Sequence, residues 1–154
     1  MQKIYKSHRH LSETQIKKRL EKQGWDVWRG SSICCTRETD VYPNVFKKYS
    51  RLALLLQDKL ESLQYIASVH HGMPDFLCHR KNEFLFVECK LGHEQLSKLQ
   101  KKCIIRLKEL GFDVEIHKFV FNCTKTRIAY VDLNNGEKKI IDKQERLKLK
   151  YKKL

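Results

Sequence analysis

Residues 72–90 read GMPDFLCHRKNEFLFVECK and contain two apolar segments separated by the polar pair Lys81-Asn82. Short apolar segments on either side of a polar pair predict two β-strands joined by a tight turn. With the turn centred on Lys81-Asn82, and with a loop of either two or four residues, Asp75 falls directly opposite Glu88. The segment therefore predicts a hairpin that places two carboxylates side by side.

Two facing carboxylates predict a metal site. Side chains directly opposite each other in an antiparallel pair have Cβ atoms roughly 4.5 to 5.5 Å apart, and like charges there are destabilising. A hard divalent ion such as Mg²⁺ would offset that repulsion, since it takes oxygen ligands from one or two carboxylates and from substrate phosphate. Lys90 lies on the same face as Glu88, about 6.6 Å further along the strand, while the Cys89 thiol points the other way.

This combination of residues suits the hydrolysis of a phosphodiester. A metal ion and an ammonium group together can position and deprotonate a water molecule and neutralise charge that develops on the phosphoryl oxygens. Either half of the pattern occurs by chance in charged proteins. Their occurrence at facing positions of one hairpin favours a functional site, because unpaired carboxylates among apolar strands lower the stability of the fold by several kcal/mol.

The rest of the chain predicts one α/β domain. A first helix over 12–23 begins at Ser12, which with Gln15 matches a capping box. Asn135-Gly136 predicts a C-terminal hairpin between 127–133 and 138–141. The other predicted elements are a strand at 25–29, an irregular segment at 30–43, a helix at 44–64, strands at 65–69, 76–78 and 84–87, a helix at 94–110 and a strand at 114–121.

The charge balance indicates a polyanionic partner. Lys and Arg number 32 against 18 Asp and Glu, for a net charge of +14 and a pI of about 9.6. A pI above roughly 9 is typical of nucleic-acid-binding domains, although a basic protein can also bind polyanions without specificity. No apolar run approaches the length of a membrane span, and residues 1–10 lack the apolar core of a secretory signal. We therefore expect an intracellular protein, cytoplasmic or nuclear, with no membrane partner.

The six cysteines indicate a reducing compartment, since none form a C-x2-C pair and several lie in apolar segments. Cys34 and Cys35 with His70 and His71 match no familiar zinc spacing, so we expect no zinc.

Two further basic segments are candidates for phosphate contacts. Lys47, Lys48 and Arg51 cluster on the helix at 44–64, where they either face phosphate or form a solvated helix face. Residues 138–154 hold eight Lys or Arg. We divide the chain into a domain over 1–137 and a basic tail over 138–154, which is either a frayed helix or a flexible arm.

The chain resembles the PD-(D/E)XK nucleases, and within them the VRR-NUC (virus-type replication-repair nuclease) group. The resemblance extends over about residues 13–120 and is close only from 72 to 111. Its G-x-P-D motif corresponds to 72–75, its E-x-K motif to 88–90, and its L-S-x-x-Q motif to 96–100. The residues after the lysine, 91–93, depart from the usual small and proline-containing run, and the helix at 44–64 is an insertion.

The resemblance implies a restriction-endonuclease-like core, with a central mixed sheet flanked by helices. It implies that Asp75, Glu88 and the backbone carbonyl of Cys89 hold Mg²⁺, with Mn²⁺ as a substitute, and that Lys90 acts on the attacking water. Glu13 matches an acidic residue of the first helix that contributes to the site directly or indirectly, but it equally suits a first-turn residue favoured by the helix dipole.

Gln100 corresponds to the glutamine that supports the site in this family. It also lies near the middle of the apolar stripe of its helix, where a polar group must find a buried partner. The alternative is a core glutamine with no chemical role. Other candidates for nucleic-acid contacts are His71, Lys98 and Lys101, although His70 and His71 also suit ordinary strand or loop positions.

The implied function is a structure-directed DNA endonuclease that acts as a homodimer on branched DNA such as Holliday junctions, in DNA repair and recombination. A single compact domain has little room for a separate specificity module, which favours dimerisation. The alternatives are a flap, single-strand or restriction-type nuclease, and an inactive nucleic-acid-binding protein of the same fold.

Overall fold

The computed structural model describes residues 13–34, 42–92, 94–122, 127–131, 133–142 and 146–154. Helix α1 covers residues 13–22, as predicted, although Ser12 of the predicted capping box lies outside the described residues. Strand β1 (Asp26–Arg29) follows and continues into a 3-10 helix, Gly30–Cys34, within the segment that we expected to be irregular. The fold is therefore α/β from its first elements.

The remaining elements alternate between helices and strands. Among the described helices, none is long and apolar enough to cross a bilayer. In chain order the elements are α2 (Pro43–Leu56), α3 (Lys59–Val69), β2 (Phe76–Arg80), β3 (Glu83–Leu91), α4 (Lys98–Glu109), β4 (Asp113–Asn122), β5 (Arg127–Val131), β6 (Lys138–Asp142) and β7 (Arg146–Lys153).

A five-stranded mixed sheet forms the centre of the fold, in the order β1-β2-β3-β4-β7. Only β3 and β4 run parallel, and α4 makes the crossover between them. The other neighbours are antiparallel. Strands β5 and β6 pair antiparallel in a separate two-stranded sheet, so the predicted C-terminal hairpin is confirmed.

Helices cover both faces of the sheet, as expected for this fold class. Ile16 and Leu20 of α1 pack on one face, against the side of β3 that carries Val87 and Cys89. The other face forms the larger core with α2, α3 and α4. Its buried residues include Leu52, Leu56, Leu63, Ile66, Leu77, Phe86, Cys103, Ile104, Leu107 and Val114. The burial of both faces explains the nearly continuous apolar character of β3.

The β2–β3 hairpin has the predicted register. Lys81 and Asn82 have φ angles of 48° and 63°, and two consecutive positive φ angles are typical of a two-residue turn that matches strand twist. Phe76 pairs with Val87, and Asp75 and Glu88 are the next residues at the open end of the hairpin. The two carboxylates are thus placed at the same level of adjacent strands.

Helix α4 starts later than predicted because a capping box fixes its first turn. Ser97 Oγ accepts a hydrogen bond from Gln100 N at 3.1 Å, and Ser97 N donates to Gln100 Oε1 at 2.9 Å. The helix therefore begins at Lys98 rather than at residue 94. The S-x-x-Q pattern used to predict the start of α1 also occurs at 97–100, where its structural role was missed.

The predicted strand at 65–69 is wrong. These residues form the second half of α3, because Leu63 and Ile66 are buried at helical spacing while Tyr65 and Val69 are exposed. The single helix predicted at 44–64 is also wrong, since α2 and α3 are separated at Gln57, whose φ of 51° ends α2. The insertion is therefore a pair of helices.

The C-terminal segment differs from the predicted frayed helix or flexible arm. Arg146–Lys153 is β7, an edge strand of the main sheet that pairs antiparallel with β4 over eight register pairs. The sequence RLKLKYKK alternates at a period of two, which indicates a strand. Within the predicted basic tail, residues 146–153 are thus part of the main sheet, and residues 138–142 are a strand of the two-stranded sheet.

Candidate active site

A cavity of about 220 Å³ lies at the open end of the β2–β3 hairpin. It brings together all five residues that were predicted to be catalytic. They are Glu13 of α1, Asp75 just before β2, Glu88 and Lys90 of β3, and Gln100 of α4. Its lining residues are Glu13, Asp75, Glu88, Cys89, Lys90, Leu91, Glu94 and Gln100. Leu91 and Glu94 were not predicted, and neither lies in a motif that would have identified it.

Backbone groups of both neighbouring strands hold Asp75. Cys89 N donates to Asp75 Oδ2 at 2.8 Å, and Gly30 N donates to the Asp75 carbonyl oxygen at 2.9 Å. Only glycine fits at position 30, because a Cβ there would overlap the Pro74 carbonyl oxygen. The Asp75 carboxylate is therefore oriented before any substrate or ion binds.

Gln100 connects α4 to Glu88 and Lys90 of β3. Its Nε2 donates to Glu88 Oε1 at 2.8 Å, and its Oε1 accepts from Lys90 Nζ at 2.9 Å. The second acceptor position of Oε1 takes the Ser97 backbone N–H. The amide orientation is dictated by its partners, since a carboxylate can only accept and an ammonium can only donate. Gln100 thus finds the buried partners that its place on the apolar stripe requires.

Lys90 and Glu88 form a nearly buried ion pair on one face of β3. Lys90 Nζ lies 3.3 Å from Glu88 Oε1, and their side chains are only 10% and 5% exposed. This confirms that the two residues share a face. An ammonium group has three donor protons, and Gln100 and Glu88 engage two of them. The third is available to a water molecule or a phosphoryl oxygen in the cavity.

The Glu88 carboxyl group has a raised pKa. Burial raises the pKa of its carboxyl group to about 7, and the negative charge of Asp75 adds to the increase, while Lys90 opposes it. The fold therefore confines excess negative charge at this position. A divalent cation beside the two carboxylates would offset their repulsion and lower the pKa of Glu88.

We expect the raised pKa of Glu88 to make the free energy of unfolding depend on pH. The folded-state pKa of Glu88, about 7, is above the ordinary value of 4.5, so its stabilising contribution is complete below pH 4.5 and is lost as the pH rises through 7. In EDTA, the free energy of unfolding of wild type relative to Glu88→Gln should fall by about 3 kcal/mol between pH 4 and 8. Chemical denaturation of both proteins measures this, and a difference that does not vary with pH would contradict it.

Gly72 places α4 against the motif that precedes Asp75. Its φ is +149°, and a Cβ there would lie 2.9 Å from Gln100 N and 3.0 Å from the Leu99 carbonyl carbon. Any side chain would push the first turn of α4 away from the hairpin. The first residue of the G-x-P-D motif therefore sets the distance between Asp75 and Gln100.

Gly72→Ala should reduce both stability and cleavage. We expect a loss of roughly 1 to 3 kcal/mol in the free energy of unfolding from backbone strain, and a drop in cleavage rate because Gln100 moves. Gly111→Ala is the matched control, since its φ is +90° but nothing lies within 4 Å of a Cβ. The control should lose stability and keep its cleavage rate per folded molecule. Equal rates per folded molecule in the two variants would refute the positioning role.

The oxygen atoms that could hold a divalent ion are those of Asp75, Glu88 and the Cys89 carbonyl. Across the described ranges, no three His, Cys, Asp or Glu side chains form a group that could hold a metal ion unaided. The donor set nevertheless fits Mg²⁺, which commonly uses one or two carboxylates and completes its coordination with water and substrate phosphate. The Cys89 thiol is buried on the opposite face, and burial raises its pKa, so a thiolate ligand does not contribute.

The structure separates the other predicted nucleic-acid contacts into two groups. His71 and Lys101 line clefts that adjoin the cavity, and Lys98 is exposed in the first turn of α4. Lys47, Lys48 and Arg51 do not line it. Lys48 Nζ donates to the Val27 carbonyl at 3.4 Å, and Arg51 pairs with Asp26 at 2.5 Å, so these two side chains contact β1.

The mixed sheet, with Asp75, Glu88 and Lys90 at the open end of its central hairpin, defines a nuclease core of the PD-(D/E)XK type. The VRR-NUC domain family model matches residues 12–119, well over half of the chain. The chain therefore belongs to the VRR-NUC family and is a nuclease. Comparison with curated proteins and with solved structures found no match.

Proposed function

We propose that the protein is a Mg²⁺-dependent endonuclease that hydrolyses phosphodiester bonds in DNA, with branched DNA as its preferred substrate. One observation carries the proposal: Asp75, Glu88, Lys90 and Gln100 line a single small cavity. Hydrogen bonds of 2.8 and 2.9 Å and an ion pair of 3.3 Å connect Glu88, Lys90 and Gln100, and the Cys89 backbone N–H holds Asp75 at 2.8 Å. A nuclease needs this set of groups, and a binding protein does not.

The residues of the cavity have distinct parts in the proposed reaction. Asp75 and Glu88, with the Cys89 carbonyl, would hold the ion, and Cys89 N–H fixes the orientation of Asp75. When bound, Mg²⁺ would polarise the phosphate and lower the pKa of a coordinated water. Lys90 directs its remaining donor proton at the attacking water or at a phosphoryl oxygen, where it offsets developing negative charge.

Gln100 is a positioning residue in this proposal. It holds Lys90 and Glu88 together at the first turn of α4, while Ser97 N–H fixes its own amide group. Glu13 lines the cavity from α1 and would contribute through a water molecule or directly. These contacts restrict the motion of a long lysine side chain, which favours catalysis because it reduces the entropy lost on reaching the reactive geometry.

The charged cluster argues against an inactive protein of the same fold. A buried carboxylate whose pKa is raised to about 7 lowers stability at neutral pH, so replacing it would favour folding. The presence of Glu88 beside Asp75 is therefore better explained by a chemical role.

A substrate panel tests the proposed activity. Purified protein is incubated with labelled four-way junction, flap, single-stranded and linear duplex DNA, and with RNA, in Mg²⁺, in Mn²⁺ or in EDTA. We expect cleavage in Mg²⁺ and Mn²⁺, fastest on the junction, and none in EDTA. Preference for flap, single-stranded or linear substrates would overturn the branched-DNA assignment. Binding without cleavage of any substrate would identify an inactive binding protein.

The proposed homodimer rests on the resemblance and on the footprint that symmetric cleavage of a junction needs. Light scattering of the free protein and of its junction complex measures it directly. We expect two copies per junction, and a single copy in both measurements would contradict the dimer.

A further inference from the structure

Two larger clefts adjoin the catalytic cavity from opposite sides of β3. The smaller, about 380 Å³, shares Asp75 with it and includes Arg29 of β1. The larger, about 880 Å³, shares Lys90 and Glu94 and extends to β4 and β7. Because the sheet order is β1-β2-β3-β4-β7, the three spaces follow one another across the strands. At the usual strand spacing, the line from β1 to β7 covers roughly 19 Å.

The larger cleft, which we call the lysine groove, has an apolar floor and a basic rim. Ile104 and Ile105 of α4, Ile116 of β4 and the partly buried Leu154 contribute apolar surface. Besides Lys90, four lysines line it from both walls: Lys101, Lys108, Lys118 and Lys152. Since Lys101 and Lys108 lie seven residues apart on one face of α4, their positions are separated by roughly 10 Å along the helix. Opposite walls of the groove thus both carry positive charge.

Strand register aligns the lysine groove with the catalytic residues. Lys118 is the register partner of Lys90, and Ile116 is the partner of both Glu88 and Lys152. The lysine ammonium groups of β4 and β7 therefore continue from the site along one face of the sheet. Glu94, at the junction of the groove with the cavity, contributes the one acidic side chain among the described residues of the groove lining. Its carbonyl accepts from Lys118 Nζ at 3.1 Å.

The smaller cleft has a different character. Arg29, Ser31 and His71 supply donors, and Asp75 is the one acidic residue among the described residues that line it. Arg29, Ser31 and His71 are exposed. At about 380 Å³ this cleft is less than half the size of the lysine groove, at about 880 Å³, so the groove can accept the longer part of a strand.

We propose that the cleaved strand lies across the sheet, from the smaller cleft beside Arg29 and His71, over the catalytic cavity, and into the lysine groove. The lysine groove holds the phosphates on one side of the scissile bond, and its apolar floor contacts the sugars. This inference rests on the proposed nuclease function and specifies how the substrate binds. Because the strand continues on both sides, cleavage occurs within a chain rather than from its end.

Salt dependence of binding tests the lysine groove without any cleavage. Each lysine–phosphate contact contributes about 0.9 to the slope of log affinity against log salt for duplex and about 0.7 for single strands. In EDTA, Lys101→Ala/Lys108→Ala should therefore lower the magnitude of the slope by about 1.8 on duplex or about 1.4 on single-stranded DNA. Fluorescence anisotropy at several salt concentrations measures it.

The control for this experiment is Lys22→Ala/Lys81→Ala, which removes the same charge from exposed positions on α1 and at the far end of the β2–β3 hairpin. Its slope should stay within experimental error of wild type. An unchanged slope in the groove variant, or an equal decrease in the control, would overturn the proposed path.

Cleavage of strands extended on one side tests the two-sided path. Oligonucleotides that keep the scissile phosphodiester but end one nucleotide beyond it, on one side or the other, should be cut at least tenfold more slowly than one that continues in both directions. Equal cleavage of a one-sided strand would refute the path. If no nucleic acid is cut, the proposed function fails on its own, while the salt slopes still decide whether the groove binds phosphate.

Discussion

Lys90→Ala should eliminate cleavage and preserve binding. We expect a decrease of roughly 100- to 1,000-fold in the cleavage rate at saturating substrate, the range associated with loss of one donor aimed at developing negative charge. Binding should remain close to wild type because the other four lysines of the groove are unchanged. Single-turnover cleavage and anisotropy on the same labelled DNA measure the two quantities separately.

The control for Lys90→Ala is Lys102→Ala, which removes a lysine that is exposed on α4 and lines none of the three spaces. It should cleave at the wild-type rate. Unfolding of the Lys90 variant by denaturant verifies that it is folded under assay conditions. A folded Lys90→Ala protein that cleaves within tenfold of wild type would refute the assigned role.

Asp75→Asn should separate activity from stability. The amide oxygen can still accept from Cys89 N–H, so the local structure is kept, but the negative charge that raises the pKa of Glu88 is removed. We therefore expect a loss of cleavage of at least about 100-fold at a fixed Mg²⁺ concentration, equivalent to roughly 3 kcal/mol of ion stabilisation. In EDTA the free energy of unfolding should be equal to wild type or higher.

Asp113→Asn provides the matched control, because Asp113 is exposed at the start of β4, away from the cavity. It should change neither quantity. Full cleavage by Asp75→Asn would contradict its role with the ion. A clear loss of stability in EDTA would contradict the repulsion between the two carboxylates.

The parts of the site that could be predicted from sequence are those fixed by local rules. The turn at Lys81-Asn82 determines the register of its own hairpin, so the opposition of Asp75 and Glu88 follows from strand geometry. The shared face of Glu88 and Lys90 follows from the period of two. The place of Gln100 on an apolar stripe likewise requires a buried partner, although the sequence does not indicate which one.

The parts that could not be predicted depend on long-range packing. Tyr65 to Val69 has a local preference for strand, but burial of Leu63 and Ile66 against the core imposes a helix. The pairing of β7 with β4 joins segments far apart in the chain. That pairing creates one wall of the lysine groove, so the groove could not be inferred from motifs.

The measurement that addresses the site most directly is Mn²⁺ binding followed by electron paramagnetic resonance, in which bound ion loses the signal of free Mn²⁺. We expect wild-type protein to bind Mn²⁺ at a saturable site from which Mg²⁺ displaces it, and we expect Asp75→Asn/Glu88→Gln to lack this site. Identical binding curves for wild type and the double variant would contradict it, because the ion would then be held elsewhere.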